Sequence, residues 1–152
     1  MNKTFARGAA VKPKPVWDGK RVVRDGMVAV VYSGGYGAAW SAFADTREER
    51  DLRLFHPDLV ELVEWFDNVI HEAERDRTPG AGGRAENFIR AKYENIQEWA
   101  RTWLGADAYE AEPGCRMNLH VSWVPVGAEF VIHEYDGTEC VRLKSQMGWI
   151  TA

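Results

Sequence analysis

The chain is short of cysteine and of long hydrophobic runs, and each shortage removes a class of protein. Cys115 and Cys140 are the only cysteines in 152 residues. Two thiols make no disulfide framework, so free thiols in a reducing cytoplasm are expected. The longest aliphatic run, Met27–Val31, falls far below the roughly 20 residues of a membrane span. No succession of charged, apolar and small residues marks a signal peptide at the start. These shortages point to a cytoplasmic protein without a membrane segment. The length suits one domain with a real core, and 45% hydrophobic with 28% charged residues is ordinary for a globular chain. Seven tryptophans are not ordinary, and they predict an aromatic-rich core or surface.

Charge is unevenly spread. Residues 1–24 hold seven basic side chains against Asp18 alone, a net +6, and the other 128 residues hold 12 basic and 22 acidic, a net −10. Residues 1–20 carry Pro13, Pro15, Gly8 and Gly19 without apolar periodicity, so they read as a basic flexible arm on a single α+β domain, 21–152. Such an arm suits a solvated tail, nucleic acid met through Lys12, Lys14, Lys20, Arg21 and Arg24, or the acidic face of a second copy.

The most unusual stretch is Tyr32-Ser33-Gly34-Gly35-Tyr36-Gly37-Ala38-Ala39-Trp40, directly after the strand-like Met27–Val31. Three glycines in four positions let backbone approach a partner closely. Two tyrosines and a tryptophan around them would wall a small cleft or plug the core. The spacing is neither a dinucleotide fingerprint nor a P-loop. Glu134, Asp136 and Glu139 surround a turn, where carboxylates serve turn chemistry or hold a sugar hydroxyl or a basic side chain.

Elsewhere the pattern reads as α+β. Pro57 suits a first helical position, Phe55 and Val60 have staple spacing, and Leu59, Leu62, Val63, Phe66, Val69, Ile70 and Ala73 form one stripe. Glu61, Glu64 and Asp67 fall on an acidic outer face. A second helix is predicted over 85–104, with Gly105 after it. Residues 38–55 look irregular, with a solvated helical turn over 46–50. Met117–Trp123 and Phe130–Ile132 alternate as strands, and Cys140–Lys144 makes another after the Asp136-Gly137 turn. The expected architecture is an antiparallel sheet of four or five strands, with two helices inserted after the first strand and packed on one face. A hairpin matching Trp123 to Phe130 would set His120 opposite His133, adjacent but without a metal, since no third ligand is evident.

Two blocks carry a family resemblance. Tyr32-Ser33-Gly34-Gly35-Tyr36-Gly37-Ala38 with Trp40, and Trp123-Val124-Pro125 through Gly127, Phe130, Ile132, Glu134-Tyr135-Asp136-Gly137 and Glu139, resemble a family of small bacteriophage proteins. The helix start Phe55–Val63 is also similar. The chain departs at Ala39, where glycine is expected, and at Ala42-Phe43. The resemblance implies an accessory role in counter-defence or host takeover, inside an infected or lysogenic bacterial host. It implies no chemistry.

The favoured expectation is non-enzymatic binding of a host protein or small signalling ligand at a glycine-aromatic cleft. Its candidate residues are Tyr32, Ser33, Gly34, Gly35, Tyr36, Gly37, Trp40, Glu134, Tyr135 and Asp136, with no catalytic residue, cofactor or metal assigned. Rival expectations are an enzyme acting on a nucleotide-like substrate and a nucleic-acid-binding module using the arm. A homo-oligomer is compatible with all three.

Overall fold

The structure, a computed structural model, describes residues 13–35, 39–105 and 118–148. Its turns follow from two Asp-Gly pairs. Asp25-Gly26 has φ of 50° and 75°, and Asp136-Gly137 has 51° and 82°, the pairing of positive angles that a type I′ hairpin requires. The first folds β1 (Val23–Arg24) onto β2 (Met27–Ser33), and the second folds β4 (Phe130–Tyr135) onto β5 (Thr138–Leu143). Strand β3 (Leu119–Pro125) lies antiparallel on the other edge of β2, from Met27 opposite Pro125 to Ser33 opposite Leu119. Helices α1 (Arg47–Phe55), α2 (Pro57–Arg75) and α3 (Ala81–Trp103) intervene between β2 and β3. The fold is α+β, with the strands divided between antiparallel sheets β1-β2-β3 and β4-β5.

Consecutive residues of β2 serve different cores, which is why the strand is apolar on both faces. Ala29 and Val31 pack with Leu59, Val60 and Val63 of α2 and with Ile96, Trp99 and Ala100 of α3. Val30 joins Leu54 and Phe55 of α1, together with Phe130, Ile132, Val141 and Leu143 of the β4–β5 hairpin. The larger sheet thus lies between the long helices and a layer made of α1 and the hairpin. The long helices cover one face, as the periodicity predicts.

Two expectations need correction. The region 38–55 is not irregular beyond one turn: α1 runs nine residues, with Thr46 as its N-cap accepting from Glu49 N–H. Its charged start reads as solvated, but its last turn buries Arg53, Leu54 and Phe55. The β3–β4 hairpin does not form either. His120 lies opposite Tyr32 and His133 opposite Cys140, so the two histidines are not paired. The reason is packing: Val121 and Trp123 border the helix-side core, whereas Phe130 and Ile132 belong to the other. Period-2 alternation shows that a strand has one buried face, not which core that face meets. At Pro125–Ala128 the chain turns, with Ala128 N–H donating to the Pro125 carbonyl at 3.0 Å, and leaves the larger sheet.

The two sheets are fastened by one carboxylate. Glu139 on β5 is 1% exposed. One of its oxygens accepts from Ser33 N–H at 3.0 Å. The other accepts from Trp40 N–H at 2.9 Å and from Ser41 Oγ and Ala42 N–H at 3.0 Å each. A buried carboxylate is tolerated only when its lone pairs are met by such donors. Glu139 therefore closes the end of β2 and the short 3-10 turn Ser41–Phe43 onto the hairpin.

The tryptophans form a second fastening. His56 is the N-cap of α2, its Nδ1 accepting from Asp58 N–H at 3.2 Å and from Trp99 Nε1 at 3.4 Å. Trp17, Trp99 and Trp103 surround its ring, with centroids 5.8, 5.6 and 4.0 Å away. Trp17 so ties the second half of the N-terminal arm to the body. Burial pushes the His56 imidazole below its ordinary pKa, against opposing contributions from Asp58 and Asp18.

Replacing Glu139 by Ala leaves the buried Ser33 and Trp40 N–H groups and the Ser41 hydroxyl without an acceptor and should cost about 3 kcal/mol or more in chemical denaturation. Glu139→Gln, which keeps one acceptor oxygen, should lose less. His56 supplies the pH test. Its folded pKa lies below the unfolded value of about 6.5, so the unfolded chain takes up the proton first. Stability is then full above that value and declines as pH falls through it toward the folded pKa. His56→Asn retains a capping side chain, and its melting curves should show a smaller loss between about pH 7 and 5.

Candidate functional site

The described part of the glycine stretch lies against the start of β3. Gly34 N–H donates to the Asn118 carbonyl at 3.0 Å. A Cβ built on Gly35 would stand 2.5 Å from Asn118 Nδ2 and 2.9 Å from its Cγ. Gly35 has no positive φ, so close approach alone calls for glycine there. A Cβ on Gly34 would meet His120 Cδ2 at 3.4 Å and Nε2 at 3.8 Å. The bare backbone thus passes beside the His120 imidazole, and the Tyr32 ring stands next to it, 6.0 Å between centroids.

His120 is held from its other nitrogen. Its Nδ1 is 3.2 Å from Asp67 Oδ2, and the second Asp67 oxygen accepts from Lys92 Nζ. Lys92 also donates to the Leu119 carbonyl at 2.9 Å and is 1% exposed. Burial pushes the Asp67 carboxyl up. Hydrogen bonds from His120 and Lys92, with their charges, outweigh that and hold it below the ordinary carboxylate value. An ionised Asp67 only accepts, so the proton between the two groups belongs to Nδ1. Nε2, on the far side of the ring, is the nitrogen beside Gly34.

Asp67, Asn68 and His120 are walls common to two open hollows. The larger, about 610 Å³, extends between α2 and α3 past His71, Ile89 and Asn118. The smaller, about 330 Å³, extends past Tyr32, Glu64 and Trp123. Among the described residues no group of three His, Cys, Asp or Glu is placed to hold a metal ion.

The candidate residues divide. Tyr32, Gly34 and Gly35 border this cleft. Tyr36 and Gly37 lie outside the described residues, as does Cys115. Trp40 is fully buried, its Nε1 donating to the Arg53 carbonyl at 2.8 Å and its ring 6.0 Å from that of Trp99, so it walls core rather than cleft. Ser33 is fully buried as well, and its N–H serves Glu139. Glu134 accepts from Gly137 N–H at 2.6 Å within its own turn. Tyr135, 72% exposed, and Asp136, at φ 51°, belong to that turn. The first block meets the β4–β5 hairpin through the buried Glu139, and Trp123 of the second block shares the smaller hollow with Tyr32.

Asp67, Lys92 and His120 are absent from the candidates drawn from sequence. A faint signal exists for two of them. Lys92 stands three after Ile89 and four before Ile96, on the apolar stripe of α3, and Asp67 stands four after the buried Val63. A lysine and an aspartate on facing stripes are a pair looking for each other.

Of the basic residues expected to meet nucleic acid, Lys12 lies outside the described residues, and three others have partners within the chain. Lys20 lies 3.8 Å from Asp18, the Arg21 guanidinium 3.7 Å over the Phe55 ring, and Arg24 2.9 Å from Glu64. No family model, curated protein or solved structure matches the chain. No helix among the described residues is long and apolar enough to cross a membrane.

Gly35→Ala should displace Asn118 and lower stability by about 1–3 kcal/mol, with a shift of the His120 ring signals in NMR. Gly34→Ala, whose Cβ would make ordinary contacts, should stay within about 1 kcal/mol of wild type in the same melts.

Proposed function

We propose that the chain is a binding protein whose site is the cleft bounded by His120, Asp67 and Tyr32 beside Gly34–Gly35. The observation that carries this is the oriented imidazole: a half-exposed ring held by Asp67 at Nδ1, with Nε2 beside a backbone that has no side chain to block it. Arranging a buried lysine, an ionised aspartate and a glycine loop around one open ring has a desolvation cost that core packing does not require. The bacteriophage resemblance makes the ligand a host protein or small signalling molecule, met in the cytoplasm of an infected bacterium during counter-defence or host takeover. That role rests on the two motif blocks alone.

The reading through nucleic acid has less support, because Lys20, Arg21 and Arg24 are already turned onto Asp18, Phe55 and Glu64. An enzyme acting on a nucleotide-like substrate is the second reading. The Asp67–His120 pair favours it, since an imidazole with a fixed tautomer is a competent base. The carboxylates around the cleft weigh against a phosphate-bearing substrate.

Mass spectrometry of the protein purified from a bacterial cytoplasm tests the binding reading. A small molecule or polypeptide should accompany the wild type and be recovered at about tenfold lower yield with His120→Ala, the factor a loss of 1.4 kcal/mol produces. Equal recovery with that folded variant would place the binding elsewhere.

A further inference from the structure

The hollow beside His120 is a wall of acceptors against a ring. The Asp67 carboxylate accepts from Lys92 and holds His120 by Nδ1, which leaves Nε2 as the ring nitrogen toward Gly34. Glu64 adds a carboxylate that also receives Arg24 at 2.9 Å, and Asn68 adds an amide that donates and accepts. Such a set is completed by a ligand that brings several O–H donors.

Charge narrows the class further. Glu64, Asp67 and Glu74 line the two hollows. The cations within reach, Arg24 and Lys92, are bound to Glu64 and Asp67 respectively. Among the described residues, a phosphate would meet carboxylates beside cations that are already paired. A simple organic cation would find Asp67 already balanced by Lys92, buried directly beneath it. A neutral molecule avoids both conflicts.

Shape agrees with this. The Tyr32 ring gives a flat apolar wall 6.0 Å, centre to centre, from the His120 ring, the kind of surface on which the C–H face of a sugar rests while its hydroxyls turn to acceptors. Gly34 leaves the approach to Nε2 open, since even a single Cβ there would stand 3.8 Å from that atom.

Resting on the cleft as the binding site, we propose that its ligand is a neutral vicinal diol, a free sugar or the ribose of a nucleoside. Its hydroxyls donate to His120 Nε2 and the Asp67 carboxylate, and its carbon face lies on Tyr32.

Isothermal titration calorimetry on the full chain tests this with methyl ribofuranoside, uridine, the dideoxyribose analogue of uridine, uridine monophosphate and putrescine. Uridine should bind, and removing both ribose hydroxyls should weaken it by at least about tenfold. The monophosphate should bind more weakly than the nucleoside. Binding of the ribofuranoside with equal strength identifies a sugar site, and a clear preference for uridine a nucleoside site. Either result supports the diol. Tyr32→Ala, and His120→Gln if the first variant fails to fold, should each cost about tenfold in uridine affinity. No heat with either diol, equal binding of the dideoxy analogue, or preference for the monophosphate or putrescine overturns the proposal. If a different molecule is captured in a His120-dependent way while the diols fail, the cleft stands as the site and only the diol assignment falls.

Discussion

The fold depends on a buried carboxylate. Glu139 receives four donors from one stretch far away in the chain: the last residue of β2, and Trp40 with the turn that follows it. A carboxylate moved from water to a dry interior loses several kcal/mol of hydration. That loss is offset only if the donors are in place, so Glu139 tolerates one arrangement of its neighbours and rejects looser ones. Apolar packing of Phe130 and Ile132 would allow the β4–β5 hairpin to slide on its core. The directional bonds of Glu139 hold it at one position. Hydrophobic burial sets the affinity between the layers, and the carboxylate sets their register.

A second polar anchor acts at the opposite layer. Lys92 of α3 donates to Asp67 of α2 and to the Leu119 carbonyl of β3, so one ammonium group joins three elements. The Leu119 carbonyl lies one residue before His120, whose ring meets the same Asp67. Helix packing alone would fix the spacing of α2 and α3 to within a side chain's tolerance. The bonded set fixes it at the level of a hydrogen bond, which is what a site with a defined tautomer needs.

Much of this architecture was legible in the sequence, because it rests on local signals. Asp25-Gly26 and Asp136-Gly137 announce I′ turns through their backbone preferences, Pro57 announces a helix start, and the stripes of α2 and α3 announce their buried faces. The α+β class follows from those. Pairing of β3 was not legible. Its alternation is satisfied equally by β2 and by β4, and the choice turns on which core each strand's apolar face meets, a property of the whole packing. The site was half legible. Glycine required for close approach is conspicuous at Gly35, beside Asn118, whereas Gly34 leaves room for a side chain. Trp40 misled, because a large aromatic beside a glycine loop looks the same whether it walls a cleft or, as here, buries itself against Trp99 with its N–H on the Arg53 carbonyl. Asp67 and Lys92 were hidden by the rule that charge marks the outer face of a helix. That rule fails where two opposite charges on facing helices satisfy each other.

The glycine stretch joins the two anchors. At Ser33 the backbone is gripped by Glu139, and one residue later Gly34 is bonded to Asn118 at the mouth of the cleft. The same few residues therefore end the central strand of the larger sheet and border an open site. A side chain at Gly35 would collide with Asn118 and push the segment away from β3, straining the Ser33 end that Glu139 holds. Glycine is called for at Gly35 because the segment is held from both sides, by a buried carboxylate at Ser33 and against β3 at Asn118. Glu139 and the glycine stretch lie far apart in the chain. Each is the condition for the other's geometry, and the open face of His120 is what that geometry leaves exposed.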